Sequence, residues 1–198
     1  MIETSRLTLR PPRLADLDGF AAFYMGDRAG FVGGPVASRD DAWRIFAALA
    51  GHWHLRGWGP WAVAMDGRAI GHCGPWWPDG GVAPELGWAL WDEALEGRGL
   101  MREAAAAARA DAWARGVGGL VSYVHPQNAR SRDLARRLGA RRDPAALATE
   151  PGLEVWRHPE PGTRPEPGTH PVTGPHPATG PRLDSRRPAP EPRPEARP

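Results

Sequence analysis

The chain lacks several features that would place it in common classes of protein. Its 198 residues contain no lysine, so all 25 basic side chains are arginine, and they contain a single cysteine, Cys73. One cysteine cannot close an intramolecular disulfide, and no cysteine and histidine cluster is spaced to hold a structural metal. The first twelve residues have no apolar signal-peptide core, and no run of eighteen apolar residues occurs. We therefore expect a cytoplasmic protein that binds no metal, does not enter a membrane and is stabilised by its core.

The charge balance gives little reason to expect nucleic acid as a partner. The 25 basic residues are nearly matched by 23 acidic ones, for a net charge of +2. A run of arginines at positions 130, 132, 136, 137, 141 and 142 is interpreted as a solvated helix face. Contact with nucleic acid or the ribosome is the alternative, but no aromatic side chains are interleaved with these arginines for base stacking.

Composition divides the chain at residue 158. Residues 159–198 contain thirteen of the 23 prolines and almost no large apolar side chains. Such a segment cannot bury enough surface to offset the entropy of ordering, so we predict a disordered tail rich in proline, glycine and arginine. Residues 1–158 have the size of one ordinary domain.

Two hydrophobic periods alternate along that domain. Apolar residues at alternate positions, such as Leu7 and Leu9, predict strands, whereas apolar residues three or four apart predict helices. Asp66 and Gly67 form a dipeptide typical of a hairpin turn, and Ser38 stands where a helix cap is expected. The order predicts an α+β domain. Its strands are expected at residues 6–10, 61–65, 69–77, 85–91, 120–125 and 153–156, and its helices at 14–25, 41–56, 100–115 and 128–138.

A glycine-rich segment, EGRGLMR at residues 96–102, precedes the most strongly predicted helix. Glycines between a strand and a helix let several backbone N–H groups converge on one anion, and the helix N-terminus adds positive potential. Arg98 and Arg102 would strengthen such a phosphate site, although a glycine before a helix is often only a turn. The segment is neither a P-loop, which needs GK[ST], nor a dinucleotide-binding GxGxxG, which needs a third glycine at position 102.

Four passages carry a resemblance to a known family. They are ETSRLTLRPP at residues 3–12, AIGHCG at 69–74, PELGWALWDEALEGRGLMREA at 84–104 and HPQNARSRDLARRLGA at 125–140. Residues 2–158 thereby resemble the GCN5-related N-acetyltransferases (GNAT), in particular the ribosomal-protein N-terminal acetyltransferase-like (RimJ/RimL-like) branch. The resemblance implies a mixed, mostly antiparallel sheet, splayed at its centre and flanked by about four helices. It also implies acetyl-CoA as cosubstrate, with its pyrophosphate on the glycine turn and its pantetheine arm between the splayed strands.

The resemblance also assigns cofactor contacts residue by residue. They fall on Leu90, Trp91, Gly97, Arg98, Gly99, Leu100, Met101, Arg102 and Asn128. The family turn is usually [QR]xxGx[GA], whereas here Glu96 stands first and Met101 last. Glu96 is compatible with phosphates if it pairs with an arginine or points to solvent, and Met101 if its flexible thioether turns aside.

Acetyl transfer to an amine needs a base for the amine proton and an acid for the leaving thiolate. Glu85, at the start of the strand before the turn, is the predicted base, with a structural hydrogen bond at a strand end as the alternative. His72 is the second candidate base, with a partly buried structural imidazole as its alternative. The helix predicted at residues 128–138 contains no tyrosine, so Ser131 or a water is the predicted acid. Cys73 is interpreted as a small core residue.

Four of the ten tryptophans lie on the predicted strands that flank the cleft: Trp76, Trp77, Trp88 and Trp91. Core packing accounts for most tryptophans. We expect one or two of this group to line an acceptor pocket, where an aromatic wall can hold an alkylammonium ion.

The combined prediction is an acetyl-CoA-dependent N-acetyltransferase that acts on a primary amine. A non-catalytic CoA-binding sensor with the same fold is the alternative. A protein N-terminus and a small-molecule amine present the same nucleophile, so both stay open as the acceptor. We expect a monomer or a homodimer.

Overall fold

An eight-stranded sheet organises residues 1–160, the part of the chain that this computed structural model describes. Its strands are β1 (Ile2–Glu3), β2 (Thr8–Arg10), β3 (Trp61–Met65), β4 (Arg68–Trp76), β5 (Glu85–Leu90), β6 (Val121–Val124), β7 (Arg141–Arg142) and β8 (Glu154–Arg157). The strand order is β1-β2-β3-β4-β5-β6-β8-β7, and only the β5/β6 pair is parallel. The predicted mixed, mostly antiparallel sheet is thus confirmed.

The sheet is splayed between β5 and β6. These strands pair in register only at Glu85 and Val121, where the Val121 N–H donates to the carbonyl of Pro84 at 3.0 Å. One residue further on, the Ser122 hydroxyl donates to the Leu86 carbonyl at 2.6 Å. Beyond that point no main-chain bond joins the two strands among residues 1–160. A wedge therefore opens toward the carboxyl ends of β5 and β6.

Helices cover both faces of the sheet. They are α1 (Leu17–Tyr24), α2 (Arg39–Arg56), α3 (Leu100–Ala114) and α4 (Ala129–Arg137). Phe20 of α1 and Phe46 of α2 pack with Ala89 of β5. Ala105 of α3 packs with Leu86 of β5 and with Leu138, at the end of α4. Because residues 86 and 89 point to opposite faces of a strand, α1 and α2 lie on one face and α3 and α4 on the other.

Most element bounds match the sequence prediction within two residues at each end. Strand β3 has the predicted bounds, and Asp66 and Gly67 turn the β3/β4 hairpin with φ angles of 51° and 80°. The Ser38 hydroxyl caps α2 by accepting from the N–H of Asp41 at 3.1 Å. The helix cap and the hairpin turn each depend on residues that are close together in the sequence. Both could therefore be predicted from the sequence.

The helix predicted over residues 14–25 is wrong at its start. Leu14–Asp16 form a 3₁₀ turn, and α1 begins only at Leu17. The carboxylate of Asp16 receives two hydrogen bonds from the guanidinium of Arg10, both 2.7 Å long, and one from the Arg13 N–H at 2.8 Å. This buried ion pair with β2 holds the segment in the tighter turn.

Two short strands and the chain end complete the comparison with the prediction. The two-residue strands β1 and β7 were not predicted, since a pair of residues shows no measurable alternation. Residues 161–198 of the predicted tail lie outside the described residues. Glu160, which the prediction assigns to the tail, accepts a hydrogen bond from the Gly119 N–H at 2.8 Å. Within residues 1–160, no helix combines the length and the apolar character that crossing a membrane requires.

Candidate active site

A cavity of about 670 Å³ passes through the sheet at the wedge between β5 and β6. Strand alternation divides its lining into two sides. We call the first the α4 side, which is lined by Leu86, Trp88, Ser122, Val124, Asn128 and Ser131. We call the second the α2 side, which is lined by residues that include Tyr24, Phe31, Arg44, Ile45, Trp76, Glu85, Tyr123 and Glu150. Two molecules entering from opposite faces of the sheet would therefore meet at the wedge.

The predicted glycine turn has the geometry of an anion site at the start of α3. Gly97 and Gly99 adopt left-handed φ angles of 72° and 74°, and Gly99 caps α3 without a side chain. Among residues 1–160, the N–H groups of Gly97, Arg98 and Gly99 have no acceptor. The first N–H groups of α3 have no intrahelical acceptor either. These donors and the helix dipole together favour a phosphate group.

Glu96 does not place an uncompensated negative charge at this turn. Its carboxylate is 2.7 Å from Nη2 of Arg28 and 2.6 Å from Nη1 of Arg130. Of the two conditions under which Glu96 is compatible with phosphates, the structure shows the pairing with an arginine. Because Arg130 lies on α4, the ion pair also connects the turn to the opposite wall of the wedge.

Met101 and Arg6 explain how the turn is held. The Met101 side chain packs toward β4, where a Cβ added to Gly71 would lie 3.0 Å from its Cε atom. The thioether is therefore turned into the core. Arg6 donates from Nη1 to the carbonyl of Arg98 at 2.9 Å and from Nε to Glu103 at 2.7 Å. These contacts fix the turn against α3 while leaving its N–H groups exposed.

Leu90 and Trp91, the predicted cofactor contacts at the end of β5, form hydrogen bonds within the protein. The Leu90 carbonyl accepts from Arg28 at 3.0 Å. The backbone N–H of Trp91 donates to the Ile70 carbonyl at 2.9 Å, and its indole N–H donates to Nδ1 of His72 at 3.0 Å. Both donors of Trp91 are therefore used within the fold, and roles for Leu90 and Trp91 in holding a ligand stay predictions.

Asn128 and Ser131 stand together at the start of α4. The Asn128 Oδ1 atom caps the helix by accepting from the N–H of Ser131 at 3.1 Å. The Ser131 hydroxyl accepts from the indole N–H of Trp88 at 3.2 Å, a bond that crosses the wedge. Because the oxygen is the acceptor in this bond, the hydroxyl proton of Ser131 stays available to the cavity.

Glu85 stands at the floor of the α2 side. Its carboxylate takes part in no hydrogen bond or ion pair among residues 1–160, and burial raises its pKa to about 7. Gly87, two residues along the same strand, pairs across to Gly74, so this cross-strand pair carries no side chains. A Cβ on Gly87 would lie 3.6 Å from Oε1 of Glu85. Gly87 thus leaves open space beside a carboxyl group whose pKa lies near neutral pH.

Two tyrosines share the environment of Glu85. Burial and the negative charge of Glu85 raise the pKa of Tyr24 and of Tyr123. Both phenols line the cavity and stay protonated at neutral pH. They provide polar hydroxyl groups but no second charge.

The structure favours structural roles for His72 and Cys73. Burial lowers the pKa of His72 to about 4, and its Nδ1 lone pair is occupied by the indole of Trp91. The imidazole also packs 5.5 Å from the ring of Phe20, measured between centroids. Cys73 is fully buried, and burial raises the pKa of its thiol. A neutral, hydrogen-bonded imidazole is a poor base, and a buried neutral thiol is a poor nucleophile.

Sequence reasoning missed a buried polar network behind the wedge. The Ser122 hydroxyl, which donates to Leu86, also lies 2.9 Å from Nε2 of His158, and Nδ1 of His158 lies 3.4 Å from Arg109. Burial and the nearby charge of Arg109 lower the pKa of His158 to about 3, so the imidazole is neutral. The side chain of Ser122 thus continues the β5/β6 contact where the main-chain ladder ends. No local pattern could reveal a contact between residues 36 positions apart.

Comparisons with known proteins agree with this geometry. Residues 6–141 match the acetyltransferase (GNAT) domain family, so the chain belongs to the GNAT acetyltransferases. A crystal structure of an acetyltransferase from Agrobacterium tumefaciens is 36% identical, with 80% of this chain and 94% of that chain covered and a TM-score of 0.76. RimL, a ribosomal L7/L12 alpha-N-protein acetyltransferase solved with coenzyme A, is 17% identical, with 78% of this chain and 93% of that chain covered and a TM-score of 0.62. The RimL likeness shows the fold.

Proposed function

We propose that the protein is an acetyl-CoA-dependent N-acetyltransferase that transfers the acetyl group to a primary amine. One observation carries the proposal. The carboxyl group of Glu85, which has no hydrogen-bond or ion-pair partner among residues 1–160, lies where the cavity crosses the sheet, and its pKa is raised to about 7. A carboxyl group that titrates near neutral pH can accept an amine proton and return it to water. Membership of the GNAT family supports acyl transfer as the reaction class.

The glycine turn and the adjoining α4 side of the cavity together fit coenzyme A. The exposed N–H groups of the glycine turn, from Gly97 to Arg102, would hold the pyrophosphate, and Arg98 and Arg102 would add positive charge. Asn128 and the end of β5 would contact the pantetheine arm in the wedge. When bound, acetyl-CoA supplies a thioester whose carbonyl carbon is open to attack by an amine.

Glu85 would remove the proton that blocks the nucleophile. An alkylammonium ion has a pKa of about 10, so it must lose a proton before its nitrogen can form the new carbon–nitrogen bond. Glu85 would take this proton, directly or through a water in the space beside Gly87. The carbon–sulfur bond breaks in the same transfer, and the sulfur needs a proton. The hydroxyl of Ser131, whose oxygen accepts from Trp88, would donate it or relay it from solvent.

The proposal also covers the class of acceptor and the cellular compartment. RimL acts on the N-terminus of a ribosomal protein, and a protein N-terminus or a small-molecule amine would both reach the α2 side. We propose a reducing compartment such as the cytoplasm, because the single cysteine, Cys73, cannot close an intramolecular disulfide.

The alternative, a non-catalytic CoA sensor, depended on Glu96 and Met101. Glu96 is paired with two arginines, and Met101 is turned into the core. Neither residue therefore stands against productive cofactor binding.

Thiol release from acetyl-CoA tests the proposal when it is measured with several primary amines and combined with calorimetric CoA binding. We expect amine-dependent release for the wild-type chain. Glu85→Gln should lose most of this release while it keeps its CoA affinity, and Glu3→Gln, on the edge strand β1, is the matched control. CoA binding without release from any amine would instead support the sensor.

A further inference from the structure

The α2 side of the cavity has a mainly aromatic and aliphatic wall. Tyr24, Trp76 and Tyr123 surround the approach to Glu85, and Ile45 and Leu49 of α2 face them. Phe31 stands at the mouth with half of its surface exposed (50%) and with its ring 5.3 Å from that of His125. An apolar substituent entering here would leave water for a wall of rings and methyl groups.

The charged side chains on the α2 side favour an acceptor with one ammonium group. Glu85 is the carboxyl group at the floor, and it has no cationic partner among residues 1–160. Arg44, on the same lining, is held by Asp40 at 2.5 Å and lies 3.7 Å from Asp41. A second ammonium group would therefore lack a buried carboxylate partner, because the other carboxylate of the lining, Glu150, is exposed to solvent and its charge is screened.

We infer that the acceptor is a monoamine whose single primary amino group is carried on an aromatic or branched aliphatic group. This inference rests on the proposed function. The lining of rings and methyl groups selects the apolar substituent, and the single carboxyl group at the floor selects one amino group. Polyamines and aminoglycosides carry several ammonium groups and so fit poorly. The same chemistry is presented by a free amine and by an N-terminal residue with an aromatic side chain.

A panel of four acceptors separates these sources. The panel consists of 2-phenylethylamine, spermidine, a phenylalanine-initiated tripeptide amide and a serine-initiated tripeptide amide, each assayed by thiol release. We expect kcat/KM for 2-phenylethylamine or the phenylalanine peptide to exceed that for spermidine and the serine peptide by about tenfold or more. The aromatic acceptor with the higher kcat/KM shows whether the acceptor is a free amine or an N-terminal residue.

Two exposed positions on the lining allow variants with little risk to folding. Phe31→Ala should raise KM for 2-phenylethylamine several-fold, whereas Leu55→Ala, an exposed apolar residue of α2 outside the lining, should leave it unchanged. Ala48→Glu adds a carboxylate to the lining from an exposed position of α2. It should improve spermidine relative to 2-phenylethylamine by about fivefold, as for one exposed ion pair. Ala110→Glu, exposed on α3, is its control.

The outcomes distinguish this inference from the proposed function. Equal or better turnover of spermidine than of both aromatic acceptors, or unchanged kinetics in both Phe31→Ala and Ala48→Glu, would overturn the inference and leave N-acetyl transfer standing. Release with none of the four acceptors and no other primary amine would overturn both.

Discussion

The two sides of the cavity are built by different means. The proposed cosubstrate site adds to the α4 side a glycine turn, whose backbone N–H groups, two left-handed glycines and helix N-terminus all come from one continuous segment. The α2 side is assembled from side chains of α1, α2, β4, β5 and β6. A backbone site suits a ligand shared by a whole family, whereas a side-chain site can change with few substitutions. In the proposed function, the glycine turn and the α4 side bind the cosubstrate, and the α2 side selects the acceptor.

The largest effect on CoA affinity is expected from a charge placed on the glycine turn. Gly99→Asp puts a Cβ and a carboxylate where phosphates should approach, at a φ angle of 74°. CoA affinity should fall by about a hundredfold, as measured by calorimetry. Gly116→Asp is a matched control, because Gly116 has a φ of 80° and open space around it at the far end of α3. Equal losses in both variants would show that backbone strain, and not the phosphate site, causes the effect.

Glu85→Gln should lower the rate of acetyl transfer and leave CoA binding at the glycine turn unchanged. The amide keeps the shape of the side chain but cannot accept the amine proton, so kcat should fall by about a hundredfold or more. In the wild-type chain, kcat should rise as pH increases through about 7, where Glu85 ionises. The variant should lose this rise, and its CoA affinity should stay within about twofold. A preserved pH profile in the variant would mean that Glu85 is structural.

The same substitution should stabilise the fold at alkaline pH. The ordinary pKa of the Glu85 carboxyl is 4.5, and burial raises it to about 7 in the folded state. Between these values the folded chain holds a proton that the unfolded chain has lost, so the wild type loses stability as pH rises through this window. Glutamine carries no charge and avoids the loss. The Tm of Glu85→Gln should exceed that of the wild type at pH 8 by several degrees, with a smaller difference at pH 4. A lower Tm at pH 8 would contradict the assigned burial.

Ser122→Ala should weaken the contact between β5 and β6 at the point where their main-chain pairing ends. The substitution leaves the buried Leu86 carbonyl and a ring nitrogen of His158 without their partner, at a cost of about 1–3 kcal/mol. We expect a lower Tm and also a several-fold higher KM for acetyl-CoA, because the hydroxyl sets how far β5 and β6 separate. Ser5→Ala removes an exposed hydroxyl from Glu103 and is the control. A change in Tm without a change in KM would limit Ser122 to a structural role.

The smallest effect is expected from the chain beyond residue 160. Its composition predicts no packing against the domain, so truncation after Glu160 should change Tm by less than about 2 °C and leave turnover on a small amine unchanged. Cutting after residue 160 keeps the Glu160 contact with Gly119. A drop of several degrees would show that the tail docks on the domain, and slower turnover of a protein substrate alone would make it a tether.

These differences also explain how much the sequence could reveal. The glycine turn, the helix after it and the Ser38 cap were predicted because each depends on residues next to one another. The Arg28–Glu96 ion pair joins residues 68 positions apart, and no periodicity records such a contact. The direction of the Trp91 side chain was likewise unpredictable, since it is decided by the lone pair of His72 on the neighbouring strand. On the α2 side, Glu85 and Trp76 were among the predicted residues, whereas the contributions of Tyr24, Ile45 and Tyr123 depend on contacts between elements far apart in sequence.

A crystal structure of the chain with bound CoA tests the central claim most directly. The account predicts phosphate oxygens on the N–H groups from Gly97 to Arg102, and the pantetheine arm in the wedge between β5 and α4. The sulfur should lie between Ser131 on the α4 side and Glu85 on the α2 side. A CoA molecule bound away from the glycine turn, or one whose pantetheine arm lies outside the wedge, would contradict the account.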